Sequence, residues 1–179
     1  INDIKQSTTP SLFAANYELK HISSDDHIFA DVKYTKWDNN NKISGYIDPA
    51  YSGTNTTAIG LLYESDDKII CRGWAWRQDI TELYTKIKNL AVDYKSGSVY
   101  IESNGDKGLS LKDFRKIYPA SSGVYESMNK HLKIVSYLKQ NWHKVYFAED
   151  CQSEFIEQIV DYIEGDEPDD APDCLAALI

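Results

Sequence analysis

The chain has 179 residues, 42% of them hydrophobic and 12% aromatic, and a formal net charge of −9. That is enough apolar material for the core of one domain with a short arm, while no apolar run is long enough to cross a bilayer. The acidic balance argues against binding nucleic acid through overall charge, and three scattered cysteines (Cys71, Cys151, Cys174) supply neither a disulfide framework nor a clustered zinc site.

The sequence opens at Ile1 without a basic-then-apolar leader. A fragment or processed product of a cytosolic protein with reduced thiols is therefore expected. Residues 1–42 are polar, rich in Asn, Ser, Thr and Asp, and read as a linker or arm ending in a turn over 37–41. Three strands follow, over 43–48, 56–64 and 68–77. Short turns at 51–54 (with Gly53) and 65–67 make them consecutive and antiparallel. Asp79 followed by Glu82 opens a helix in the manner of a capping box. Its apolar stripe is Ile80, Leu83, Tyr84, Ile87, Leu90, Ala91 and Tyr94, with Gly97 as its stop. A short strand over 98–102 comes next, then a helix over 107–118, a loop over 121–127 and a helix over 128–140. A strand over 144–147 precedes a helix around Phe155, Ile156, Ile159, Val160 and Ile163. The last helix starts near Asp170. This order predicts one mixed sheet, three antiparallel strands plus two parallel ones, flanked by helices.

Acids punctuate this pattern at three stations. Asp48 closes the first strand and Glu102 the short strand over 98–102, although carboxylates are disfavoured within strands. Asp170 and Asp173 open the last helix. Each has a plain structural reading alone: Asp48-Pro49 opens a turn, Glu102 is a solvated strand end, and acids in a first helical turn favour the helix dipole. Together they say more. If the strands bearing Asp48 and Glu102 lie side by side and the last helix crosses their ends, three carboxylates converge. Such a cluster is costly unless cations neutralise it, and oxygen ligands suit Mg²⁺ or Mn²⁺. Two such ions can clamp a phosphodiester with no nucleophilic side chain, which suits a sequence without a convincing Ser-His-Asp or Cys-His arrangement.

The residues also resemble a known family. Residues 45–60 (GYIDPAYSGTNTTAIG) are similar to the first acidic motif of the nuclease domains of viral terminase large subunits, and residues 101–105 (IESNG) to the second. Asn129-Lys130 with Lys133-Ile134 is similar to a following "NK…RI" segment. Residues 153–158 and 169–177 (DDAPDCLAA) resemble the closing segment. The resemblance runs in order from about residue 43 to the last residue, and residues 12–29 look like the connector after the packaging ATPase. It implies a ribonuclease H-like fold over residues 43–179, an arm from a motor domain over 1–42, and an endonuclease that cuts concatemeric viral DNA during packaging. By motif match it implies Asp48, Glu102 and Asp173 as ligands of two Mg²⁺ or Mn²⁺ ions, with Asp170 auxiliary. Its implied partners are double-stranded DNA, the ATPase domain of the same full-length chain, the small terminase subunit and the portal protein, in the host cytoplasm. Two departures stand out. There is no G-x-x-x-x-G-K-[ST] phosphate loop, so no ATPase motif. Lys133 stands where Arg is usual, which keeps charge and loses the bidentate fork.

Lys107, Lys130 and Lys133 are candidate contacts to the DNA backbone, with solvated lysines as the plain alternative. His21, His27, His131 and His143 are not expected to bind metal. The four tryptophans are expected in packing, and residues 52–57 could approach a phosphate. Two rival functions remain: a Holliday-junction resolvase or transposase on the same fold, and a catalytically silent DNA- or portal-docking module, which the −9 charge favours.

Overall fold

The structure, a computed structural model, describes residues 28–51 and 55–179. Seven strands build its sheet: β1 (Tyr34–Thr35), β2 (Ile43–Asp48), β3 (Thr57–Ser65), β4 (Lys68–Trp76), β5 (Ser96–Glu102), β6 (Ser121–Val124) and β7 (Val145–Ala148). Their spatial order is β1-β7-β4-β3-β2-β5-β6. β2, β3 and β4 form the antiparallel meander, turning at Asp66, whose φ of 52° suits a tight two-residue hairpin. β5 and β7 flank it in parallel, on β2 and β4 respectively. The expected mixed sheet is therefore present, and each edge gains a parallel strand, β6 beside β5 and β1 beside β7.

Among the described residues, five α-helices cover both faces: α1 (Ile80–Asp93), α2 (Leu109–Ile117), α3 (Lys130–Lys133), α4 (Ser153–Val160) and α5 (Asp170–Leu178). Side chains alternate across a strand, so Ile47, Ile59 and Leu61 meet Ile80, Leu83, Ile87 and Phe114 on the α1/α2 face. Tyr46, Ala58, Leu62 and Cys71 meet Phe155, Ile159, Ala171 and Leu175 on the α4/α5 face. With both faces covered, β3 is buried from Thr57 through Tyr63, as a central strand must be. The α4/α5 face carries a deliberate gap. Gly60 and Gly73 are cross-strand partners, and the ring of Phe155 occupies the space that a Cβ at Gly73 would need. No helix among the described residues is long and apolar enough to cross a membrane.

Several boundaries differ from expectation for local reasons. Asp79 caps α1 by accepting from Thr81 N at 2.9 Å. The helix stops at Tyr94, because Lys95 adopts φ 53°, and Gly97 lies inside β5 instead of ending α1. Residues 107–108 precede α2 as a left-handed pair, Lys107 at φ 57° and Gly108 at φ 84°, so Lys107 is a loop residue. Part of the expected loop over 121–127 is β6. The expected helix over 128–140 is the short α3 continued by a π-helix over Ile134–Lys139. Residues 28–42, expected as the end of a polar arm, pack on the sheet. Phe29 is buried, its ring 4.9 Å from that of Trp142. The readings made for residues 1–27, including His21 and His27, and for Ser52, Gly53 and Thr54 lie outside the described residues.

Candidate metal centre

Asp48 and Glu102 are the last residues of adjacent parallel strands. Ile47 pairs with Ile101, so both acids leave the sheet at the same end. Each is pinned from behind. After Asp48, Ala50 N donates to Thr57 Oγ1 at 3.0 Å and Ala50 O accepts from Ile80 N at 2.9 Å. After Glu102, Ser103 N donates to Val124 O at 2.9 Å and its hydroxyl donates to Ile101 O at 3.2 Å. The β6 edge strand thus holds Glu102 in place.

Asp173 arrives from the first turn of α5, which packs across β2 and β3. Two contacts set the height of this helix. The amide of buried Gln158 caps Ala171 N at 3.3 Å, and the Cys174 thiol donates to Tyr46 O at 3.3 Å. One carboxylate oxygen from each of Asp48, Glu102 and Asp173 then lies within 4.8 Å of the others; among the described residues no other group of His, Cys, Asp or Glu is arranged to hold an ion. Asp48 is 7% and Asp173 0% exposed. Asp48 Oδ2 and Asp173 Oδ2 have no hydrogen-bond partner. Buried acceptors of this kind carry a desolvation cost that calls for a cation.

Two lysines supply part of the missing charge. Lys133, expected to reach DNA, is instead buried. Its Nζ lies 2.9 Å from Asp173 Oδ1 and 3.6 Å from Glu126 Oε2. Lys130 is 41% exposed and reaches three acids, Asp169 Oδ1 at 2.9 Å, Asp170 Oδ1 at 3.4 Å and Asp48 Oδ2 at 3.6 Å. Asp170 therefore sits beside the trio, joined to it through Lys130. Asp169 and Glu126 are participants without an assigned role in the sequence reading. Asp169 was visible in the acidic run before α5. Glu126 follows an edge strand that no periodicity announced.

The electrostatics record the crowding. Burial pushes Asp48 well above the usual carboxylate range against the pull of Lys130, with Asp170, Asp173 and Glu102 adding to the rise. Burial also raises Glu102 and Asp173, which Lys133 pulls back, and pushes Asp170 up to about 6. Burial works against the Lys130 ammonium, yet Asp48, Asp169 and Asp170 raise it above its ordinary range. A bound divalent cation would invert this pattern and favour the ionised carboxylates.

The other candidates lie elsewhere. Lys107 is exposed on the loop five residues after Glu102. His131 stacks on Tyr162 and shares a hydrogen bond with its hydroxyl at 3.0 Å. Trp37 packs against Tyr63 and Trp74 against Tyr94, with the Arg72 guanidinium over the Trp37 and Tyr94 rings. A cavity of about 460 Å³ opens beside Tyr34, Cys151 and Glu157 and shares no residue with the carboxylates.

A mixed sheet of this order, with carboxylates closing two adjacent parallel strands, has the ribonuclease H-like fold. Within that class, the fold is that of phage large-terminase nuclease domains. A mutant fragment of the large terminase subunit from bacteriophage Sf6, solved with calcium, superposes with a TM-score of 0.59 at 10% identity, covering 76% of this chain and 88% of that one. The large terminase nuclease of thermophilic phage G20c gives 0.57 at 12% identity, covering 83% and 91%. The G20c nuclease is also solved with zinc and with cobalt, and the Sf6 nuclease domain with manganese. The large terminase of another thermophilic bacteriophage gives 0.54 at 14% identity; the match covers 85% of this chain but only 38% of that larger protein. No known protein family and no curated protein matches the sequence.

Proposed function

We propose that this chain is the metal-dependent DNA endonuclease domain of a large terminase subunit, cutting concatemeric viral DNA during genome packaging. The observation that carries the proposal is the convergence of Asp48, Glu102 and Asp173, with ligand atoms within 4.8 Å and buried oxygens lacking partners. The donor set fits the group it would hold. It is all oxygen and all carboxylate, which suits Mg²⁺ or Mn²⁺ over softer ions. The fold likeness to terminase nucleases solved with manganese, calcium, zinc and cobalt supports the same reading.

Asp48, Glu102 and Asp173 would hold the ions. When bound, divalent cations supply polarisation of the scissile phosphodiester and acidification of the attacking water. The remaining tasks fall to the chain itself. β2 and β5 keep Asp48 and Glu102 in fixed register, α5 brings in Asp173, and Lys133 offsets part of the burial penalty on that carboxylate and holds it in place. Lys130 offsets part of the charge of Asp48, Asp169 and Asp170, with Asp170 as the auxiliary acid. Lys107, exposed on the loop five residues after Glu102, would contact the DNA backbone. In the full reading, residues 28–179 are the nuclease and the residues before them the connector from an ATPase domain in the same full-length chain. Double-stranded DNA is the substrate, the small subunit and portal are partners, and the host cytoplasm is the location.

A second reading draws on one specific observation. Lys130 and Lys133 already place two ammonium groups among the acids, as a catalytically silent docking module would need. Supercoiled-plasmid cleavage with Mn²⁺, with Mg²⁺ and with chelator, beside Asp48→Asn, separates the two. Metal-dependent nicking that vanishes in the variant supports the nuclease. Absence of cleavage together with a flat calorimetric titration with Mn²⁺ favours the silent module.

A further inference from the structure

The chain's charge is not spread evenly, and its distribution leaves one side open to a polyanion. Residues 149–167 carry eight carboxylates and no lysine or arginine, nearly the whole net charge of −9. They follow β7 and form α4 and its neighbours, toward the β1/β7 edge of the sheet. Residues 107–116 are the reverse, with Lys107, Lys112, Arg115 and Lys116 against one acid, Asp113. They belong to the loop and helix that follow β5, near the opposite edge.

All four basic side chains are on exposed residues. Lys112, Arg115 and Lys116 stand three and four apart, so they share one face of α2. That face bounds a shallow groove of about 370 Å³ lined by Gly108, Leu111, Lys112, Arg115 and Lys116. Asp113 pairs with Lys116 at 2.6 Å, with the two side chains 38% and 66% exposed, and an exposed pair of this kind is readily exchanged for another anion. Arg115 is anchored by two donations to Ser121 O, at 3.1 and 2.9 Å, so its charge is held in place. Asp106 is spent on the entry to α2, accepting from Gly108 N at 2.9 Å and Ser110 N at 2.6 Å.

The groove is joined to the carboxylate cluster through the chain. Glu102 ends β5, the loop 103–108 follows, and α2 runs back along the sheet from Leu109. Its nine residues measure roughly 13 Å, a length that spans about four phosphates of one strand. We infer that the basic face of α2, with Lys107 at its head, is the track on which the backbone of a DNA duplex lies as it leaves the metal centre. The eight carboxylates on the other side of the domain repel the same duplex and so fix the side from which it enters. This inference rests on the nuclease reading and names the surface that the reading lacked, since Lys133 is buried and Lys130 is held by three acids.

The test is binding of a fluorescein-labelled 30-base-pair duplex by anisotropy, in chelator, across a salt series. Wild type is compared with the triple variant Lys107→Ala, Lys112→Ala, Lys116→Ala and with a control, Lys68→Ala, Lys139→Ala. Arg115 is left intact because it ties α2 to Ser121, and thermal melts check that all three proteins fold. The triple variant should bind at least about tenfold more weakly and lose about 2–3 from the log–log salt slope, as expected for two to three lost phosphate contacts. The control should match wild type. The inference is overturned if the triple variant binds like wild type, or if the control loses as much. It falls alone if the triple variant also cuts plasmid in Mn²⁺ as wild type does. If wild type neither binds nor cuts, the inference and the nuclease reading fall together. Loss of binding in the triple variant without any cleavage by wild type would sink the nuclease and leave the track as a docking face.

Discussion

Lys133 and Asp173 form an ion pair closed off from solvent: Nζ lies 2.9 Å from Oδ1, and the two side chains are 2% and 1% exposed. The attraction between them offsets a large desolvation cost, so removing one member strands a buried charge. Lys133→Met should destabilise the metal-free domain by about 3–5 kcal/mol. Pairing it with Asp173→Asn should recover most of that loss, because neither charge then remains. Urea unfolding in chelator measures both. A single variant less than about 1 kcal/mol below wild type would mean that the pair is solvated, at the level of a surface salt bridge.

The acids of the cluster make a signed prediction with pH. Burial raises Asp48, Glu102, Asp173 and Asp170, the last from 3.8 to about 6. A carboxyl whose folded pKa is raised binds its proton more tightly in the fold than in the unfolded chain. Its contribution is therefore fully present below the unfolded value and is lost as pH rises through the folded one. For Asp170 that window runs from about 4 to about 6. In chelator, these groups should make the domain less stable at about pH 7.5 than at about pH 5. Mn²⁺ prefers the ionised form, so the rise in Tm that it produces should be larger at the higher pH. Equal metal-induced shifts at both values would contradict a carboxylate site.

Asp48→Asn keeps the shape of the side chain and removes its charge. The variant should lose cleavage and bind Mn²⁺ more than about 100-fold more weakly, since even second-layer residues of metal sites commonly cost 10–100-fold. Its Tm in chelator should equal or exceed that of wild type, because a buried acid with an unpartnered oxygen has been neutralised. Retained calorimetric affinity would remove Asp48 from the ligand set. A sharp fall in chelator Tm would show that the carboxylate is structural.

What could be read in advance followed the physics of each element. The meander from β2 to β4 was legible because strand length, apolar runs and short turns agreed. The convergence of Asp48, Glu102 and Asp173 followed from strand ends in a parallel pair and a helix crossing them. β6 was not legible. Its sequence, Ser121-Ser122-Gly123-Val124, has no apolar alternation, and its pairing is to β5 alone. Gly97 misled because Lys95 makes the left-handed turn, a conformation that a long side chain adopts only when context imposes it. Lys133 looked like any lysine on a helix. Its burial depends on α5 packing against the π-helix that follows α3, a contact between segments distant in sequence.

The approach of α4 and α5 to the sheet provides a further test, because it links packing to the site. A Cβ at Gly73 would overlap the ring of Phe155 on α4, and one at Gly60 would meet Leu178 of α5 at 2.8 Å. An aromatic ring held between a sheet and two helices cannot step aside as a flexible chain end can. Gly73→Ala should therefore cost about 1–3 kcal/mol, the usual range for overpacking. The relief available is outward movement of α4, and α4 packs on α5, which carries Asp173. The variant should accordingly bind Mn²⁺ more weakly, although Gly73 touches no carboxylate of the cluster. Adding Phe155→Leu makes room for the methyl and should restore metal affinity, even if it leaves some stability unrecovered. Stability and metal affinity that fall together and recover together would show that the glycine gap sets the height of Asp173. Lost stability with unchanged Mn²⁺ affinity would show instead that the contacts of Gln158 with Ala171 and of Cys174 with Tyr46 hold α5 in place without it.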